Sequence, residues 1–117
     1  MDKVIKIDGK DVLLKATAMN MVIYRSQFNK DIMEVAGQII KAGSTQDFTS
    51  IDSLGVARII WTMAKTADKD LPEFDKWFEQ IEVFPILDIL GDTMELIMAN
   101  LTSTTTIKPK NTKRAAN

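Results

Sequence analysis

The chain has 117 residues, 45% of them hydrophobic and 26% charged, with a formal net charge of −1; this is the composition of one ordinary globular domain and not of a fibrous or disordered chain. It contains neither cysteine nor histidine, which excludes disulfides, thiolate nucleophiles, imidazole bases and the usual zinc ligands together. The lack of cysteine favours an intracellular site.

The N-terminus, "MDKVIKIDGKD", alternates charged and aliphatic residues and lacks the apolar run of a signal peptide. Two aliphatic runs, Val4–Ile5–Ile7 and Val12–Leu13–Leu14, flank Asp8–Gly9. That dipeptide suits a type I′ turn, whose two central residues both need positive φ, so a β-hairpin is expected over 3–15. A lone hairpin is marginal in water and must pack on helices or pair with another chain.

Thr17 is placed to cap a first helix over 18–28, in which Met21, Tyr24, Arg25 and Phe28 share a face at three- and four-residue spacing. The stretch "YRSQFNKDIMEV" (24–35) reads as a helix end, a tight corner and a new start. Asn29 tolerates a left-handed cap, and Asp31 followed by Glu34 fits an acidic capping pattern. A second helix is expected over 32–42 with Ile32, Val35, Ile39 and Ile40 inward, ended by Gly43. After the polar loop "STQDFTSIDS", Ser50 or Asp52 caps a third helix over 53–66 with the stripe Leu54, Ala57, Ile60, Trp61, Ala64 and Ala67.

Pro72 suits the first turn of a fourth helix over 72–81, with Phe74, Trp77, Phe78 and Ile81 as its apolar face. Pro85 starts a fifth over 86–101. There Ile86, Ile89, Leu90, Thr93, Met94, Ile97, Met98 and Leu101 follow the amphipathic template, leaving Asp88, Asp92 and Glu95 off the seam. The most apolar stretch, "VFPILDIL", is too short to cross a bilayer and carries Asp88. The fold class is α+β and mostly helical: a single domain over 1–102 and, over 103–117, a basic tail poor enough in apolar residues to be flexible. The tail's four bases leave eleven against sixteen acids in the body, a net of −5. That balance argues against duplex DNA as a partner, since such affinity rests on many phosphate contacts.

Catalytic vocabulary is missing. The five glycines match neither the dinucleotide nor the phosphate-loop pattern, and no histidine is present to activate the many serines and threonines. "DKD" followed by "PEFD" lacks the calcium-loop spacing. No enzyme, metal or cofactor is expected. Several features remain open to two readings. Phe74, Trp77 and Phe78 are either core against the fifth helix or a platform for a partner helix. Met94 and Met98 are either core or an adaptable surface for apolar helical segments. Arg25, beside Tyr24 and Phe28, either reaches to solvent or a carboxylate or meets another subunit. Lys108 and Lys110 belong either to a plain soluble end or to a charge-mediated dock.

The order of these features, from the "IDGK" hairpin through "KATAMNMVIYRSQFNKDI", "ARIIWTMAKTAD" and "PEFDKWFEQIEVF" to a Lys/Thr tail, resembles the tail assembly chaperones of long-tailed phages and prophages of Gram-positive bacteria. The resemblance covers about positions 3–110, and "YRSQFNKDI" and "FDKWFEQIEVF" are its most specific pieces. Relatives often carry Gly where Asn29 stands. The resemblance implies a binding role: coating the tape measure protein, a long, aggregation-prone helical chain, in the host cytoplasm while the tail tube is built, followed by release before the virion matures. It also implies self-association, a longer frameshifted form of the same chain, and the tail tube protein as a further contact. The alternative is a small helical phage regulator or adaptor that binds nucleic acid. On the first reading, apolar residues near the hairpin and first helix mediate self-association, and the last helix or the tail meets the client.

Overall fold

The computed structural model describes residues 1–102, in which an N-terminal hairpin is followed by five helices. Strands β1 (Asp2–Ile7) and β2 (Lys10–Lys15) pair antiparallel with Val4 opposite Leu13 and Ile5 opposite Val12. The turn is formed as its sequence requires: Asp8 and Gly9 take φ of 56° and 79°. Alternation sends Ile5, Ile7 and Leu14 to one face, where all three are buried. That face packs mainly on the third helix, with the fifth against β1. Two polar ties hold the hairpin in place. Lys3 Nζ reaches Glu95 Oε1 at 3.2 Å, and Asp8 Oδ2 accepts from the Glu82 backbone N–H at 3.1 Å.

Helix α1 (Met19–Phe28) has Ala18 as its N-cap, without a side-chain cap bond, and is preceded by a reciprocal pair of bonds at Thr17. Thr17 Oγ1 accepts from the Met19 N–H at 3.2 Å, while Asn20 Oδ1 accepts from the Thr17 N–H at 3.1 Å, so each side chain satisfies a backbone donor that the first turn leaves without a partner. At the other end Asn29 takes φ 55° and ψ 38°, and its N–H bonds to the Arg25 carbonyl at 2.8 Å. Asp31 then caps α2 (Ile32–Thr45) through the Met33 N–H at 2.9 Å. The corner is as the local sequence predicts. The inward face of α1 is not: Asn20 and Tyr24 are buried, Ile23 and Phe28 half-buried, and Met21 and Arg25 exposed. The spacing identifies a helix, but several stripes fit it, and α3 covers the one centred on Tyr24.

Helix α2 runs past Gly43 to Thr45, and Gln46, at φ 61°, forms its left-handed end. Gly43 therefore serves close approach and not termination: a Cβ there would lie 3.0 Å from Met94 Cε. Helix α3 (Ser53–Ala67) starts after Asp52, whose side chain makes no cap hydrogen bond; its N–H donates instead to Gln38 Oε1 at 3.2 Å. From Gly55 to Ala64 every residue of α3 but the half-buried Arg58 is buried, whereas Leu54, expected in the stripe, is exposed. The helix is central, flanked by the hairpin and by the other four helices, so a one-sided stripe understates its burial. Helix α4 is only Phe74–Glu79. Pro72 stands before it, and its carbonyl accepts the Trp61 indole N–H at 2.9 Å. Helix α5 (Ile86–Ala99) keeps its expected seam, with Ile89, Leu90, Thr93 and Ile97 buried, and also buries Leu96. The expected tail over 103–117 lies outside the described residues.

The aromatic residues close one end of the core. Phe28 sits edge-on to Trp61 at 5.6 Å and to Phe74 at 5.5 Å, and Phe74 stacks on Phe78 at 5.3 Å. The cluster from "PEFDKWFEQI" is thus core, joined to α1 and α3.

Gly55 marks a close approach of α3 to α2. A Cβ there would lie 2.7 Å from Val35 Cγ2 and 3.2 Å from Val35 Cβ, and buried Val35 is β-branched, with little freedom to turn away. Gly-to-Ala in a helix usually stabilises by about 1 kcal/mol; here overpacking reverses the sign. Gly55→Ala is expected to lose about 1–3 kcal/mol in chemical denaturation, and Val35→Ala in the same chain to recover part of that loss. Gly37→Ala, with nothing within 4 Å of the added Cβ, should gain stability. Equal effects at the two glycines would contradict this account of the crossing.

Candidate interaction surfaces

Helices α2 and α5 leave an open groove of about 280 Å³ between them, lined by Ile39, Gly43, Phe48, Leu87, Leu90, Gly91 and Met94. Two glycines on facing helices remove the side chains that would fill it. Phe48 is 38% exposed and Leu87 59%. The volume approaches the lower bound of small-ligand pockets, roughly 300 Å³. Yet every lining residue is apolar, so the groove has nothing to orient a polar small molecule, and it is suited to receiving apolar side chains.

A second apolar area lies on the outward side of α1, where Met19, Met21 and Val22 are exposed; Val22 and Ile23 edge a shallower depression of about 230 Å³ shared with Lys65 of α3 and with Lys69 in the turn beyond it. A third is the outward face of the hairpin, carrying exposed Val4 and Leu13.

The candidate residues read from the sequence scatter over this map. Met94 lines the α2–α5 groove, and Met98 is half-buried farther along α5. Arg25 is exposed on α1 and makes no ion pair with the described residues. Tyr24 is buried, and Phe28 is half-buried in the aromatic core, so these two move from the candidate surface to the interior. They lie beneath the face that Met21, Val22 and Arg25 present. Lys108 and Lys110 lie outside the described residues. The residues missed are Phe48 and Leu87. Both left a signal: an aromatic residue in a polar loop, and a leucine off the apolar seam of its helix.

Among the described residues, no group of three acidic side chains is placed to hold a metal ion. Two titrations are shifted, each for a local reason. The Thr49 hydroxyl and N–H, donating to Asp47 Oδ1 at 2.6 and 3.0 Å, hold its carboxyl below the usual range. Burial pushes the Tyr24 phenol above its ordinary 10.0, partly offset by the Arg58 guanidinium, whose central carbon lies 5.3 Å from the Phe28 ring centroid. A phenol with a raised folded pKa contributes stability that is full below the unfolded value and lost as pH rises through the folded one. Tyr24 is the only tyrosine, so phenolate absorbance reads it directly: the midpoint is expected above 10.0, and Tyr24→Phe should flatten the alkaline fall in stability. A midpoint at the ordinary value would mean that the hydroxyl reaches water.

No helix among the described residues is long and apolar enough to cross a membrane. Comparison of the chain with protein-family models, with curated proteins and with solved structures finds no match in any of the three.

Proposed function

We propose that this chain works by binding and not by chemistry, as a tail assembly chaperone that covers apolar helical segments of a tape measure protein. The observation that carries the reading is the α2–α5 groove, wholly apolar and open to solvent, with Met94 on its wall and Phe48 and Leu87 at its mouth. An unbranched thioether adapts to differently shaped side chains, which suits a client offering many similar apolar segments. Its occupant is one face of an amphipathic client helix, read by residues at three- and four-residue spacing. The sequence resemblance supplies the class of client, and Asp88 and Asp92, exposed on the same helix, favour segments with basic flanks. Each contact is small. Hold on a long chain comes from many copies acting together, each able to leave, with the longer form of the chain and the tail tube protein as further partners. On this reading the chain acts in the host cytoplasm and is shed before the virion is complete.

Gly91→Leu separates binding from folding. Nothing lies within 4 Å of a Cβ at Gly91, and leucine is the better helix former, so the variant should keep or raise its unfolding temperature while filling the groove. Co-expressed with a tape measure protein, the natural chain is expected to raise the client's soluble fraction several-fold, and Gly91→Leu to remove most of that gain. Client solubility indifferent to the natural chain would end the chaperone reading. Solubility raised equally by Gly91→Leu would move the client site elsewhere.

A further inference from the structure

We propose that the outward face of the β1–β2 hairpin docks on the same face of a second copy of this chain, about a two-fold axis lying in the plane of the face. The inference deepens the preceding reading by naming the surface through which copies meet; its test needs no client.

The face is short and fully specified by the register. Three cross-strand pairs point outward: Asp2 with Lys15, Val4 with Leu13, and Lys6 with Asp11. Met1 and Ala16 exchange both of their backbone bonds. The ladder alternation therefore makes these three the non-hydrogen-bonded pairs, whose side chains stand closest together. Val4 is 55% and Leu13 46% exposed, and the helices of the fold pack on the opposite face. An apolar pair thus lies at the centre of a uniform outer surface with one charge at each corner.

The signs at the corners decide the partner. Along β1 they run Asp2 then Lys6; across the hairpin they face Lys15 and Asp11. Acid and base alternate around the four corners. With an in-plane two-fold axis parallel to the strands, β1 lies over β2 of the other copy: each Asp2 meets a Lys15, each Lys6 an Asp11 and each Val4 a Leu13. With the axis perpendicular to the strands, each Asp2 meets a Lys6, each Asp11 a Lys15, and Val4 and Leu13 each meet their own copy. Both arrangements set every acid over a base. A surface whose charges match its own copy under two-fold symmetry is self-complementary in the sense that an isologous interface requires. The existing Lys6–Asp11 pair, at 2.7 Å, need not break, because two such pairs stacked head to tail form a square of alternating charge. Asp2 already lies 4.0 Å from the Met1 ammonium, so the Lys6–Asp11 end carries the cleaner signal.

Size sets the strength. Two paired strands of six residues offer a face on the order of 200 Å², against the roughly 800 Å² that each partner gives a stable interface. The contact is weak and quickly reversed, and becomes appreciable only where copies are concentrated, as along a shared client.

Sedimentation velocity of the full chain over a concentration series tests this, with thermal unfolding recorded for each variant. The natural chain should show a sedimentation coefficient that rises with concentration and a weaker rise at high salt. Val4→Thr with Leu13→Thr, exposed and β-compatible, should abolish the rise without lowering the unfolding temperature. Asp11→Lys sets like charges together twice under the two-fold and should weaken association about tenfold. Exchanging the pair, Lys6→Asp with Asp11→Lys, keeps the intrachain ion pair. It restores association if the axis is parallel to the strands and abolishes it if the axis is perpendicular, so either result supports docking through this face and fixes the axis. A natural chain that stays monomeric at the highest concentration, or threonine and Asp11→Lys variants that associate as strongly as it does, would overturn the surface and leave client binding by the α2–α5 groove untouched.

Discussion

Trp61→Ala is expected to remove about 3–5 kcal/mol of stability, out of a total that for a chain of this size is on the order of 5–15 kcal/mol. The indole is 1% exposed and joins three helices: its ring meets Phe28 of α1 at 5.6 Å and Phe74 of α4 at 6.3 Å, both edge-on. Its N–H also holds the Pro72 carbonyl at 2.9 Å, fixing the segment that leads into a helix of only six residues. So short a helix has little stability of its own, so α4 depends on this anchor. The unfolding temperature should fall by roughly 15 °C, read by circular dichroism with a matching shift in denaturant midpoint. Trp61→Phe keeps most of the ring contact and loses the N–H donor; because Pro72 is exposed, water can take the donor's place, and about 1–2 kcal/mol is expected. If alanine proved no worse than phenylalanine, the ring would not be what joins these helices.

The second large effect is at Asn20, which is 1% exposed and fully occupied. Its amide nitrogen donates to the Lys15 carbonyl at 3.1 Å and to Thr66 Oγ1 at 2.8 Å. Its oxygen accepts from the Thr17 N–H and from Asn100 Nδ2, each at 3.1 Å. One side chain therefore ties the end of β2, the start of α1, the last turn of α3 and the end of α5. Asn20→Ala leaves the Thr17 N–H and the Lys15 carbonyl, both on half-buried residues, without these partners beneath a side chain that is itself 1% exposed. It is expected to cost about 2–4 kcal/mol, more than the loss of a single bond, since four hydrogen bonds made by one buried side chain are lost together. Asn20→Asp separates polarity from packing. A carboxylate can accept from Thr17 and Asn100 but cannot donate to the Lys15 carbonyl; the protonated acid can. Burial raises the folded pKa of such a group, so its stability should be present at low pH and lost as pH rises through that value. Stability of Asn20→Asp that is flat from acid to neutral pH would show that the network is not what Asn20 provides.

Chain-local features are legible in the residues themselves. The positive φ of Asp8 and Gly9, the left-handed Asn29, the cap at Asp31 and the seam of α5 each depend on residues within a few positions, and each forms as its local sequence predicts. The departures depend on neighbours distant in sequence. Gly43 has the look of a stop and is instead the small residue that lets Met94 approach. Met21 and Arg25 fit the spacing of an inward face but point outward, because α3 covers the stripe through Tyr24. Asn20 gives no hint of its role, since its partners at Thr66 and Asn100 lie 46 and 80 residues away.

The same division runs through the candidate surfaces. Phe48 and Leu87 stand out as apolar residues out of pattern, but only the approach of α2 to α5 sets them around one groove. The charges of the hairpin's outer face are visible too, and pairing them needs only the register of the Asp8–Gly9 turn. By itself the sequence determined turns, caps and periodicity, because steric limits on φ and the backbone donors of a helix end act over one turn of chain. Only the tertiary structure decided which faces are covered and which are left exposed, because burial is a property of what packs from elsewhere and not of the residue that is covered.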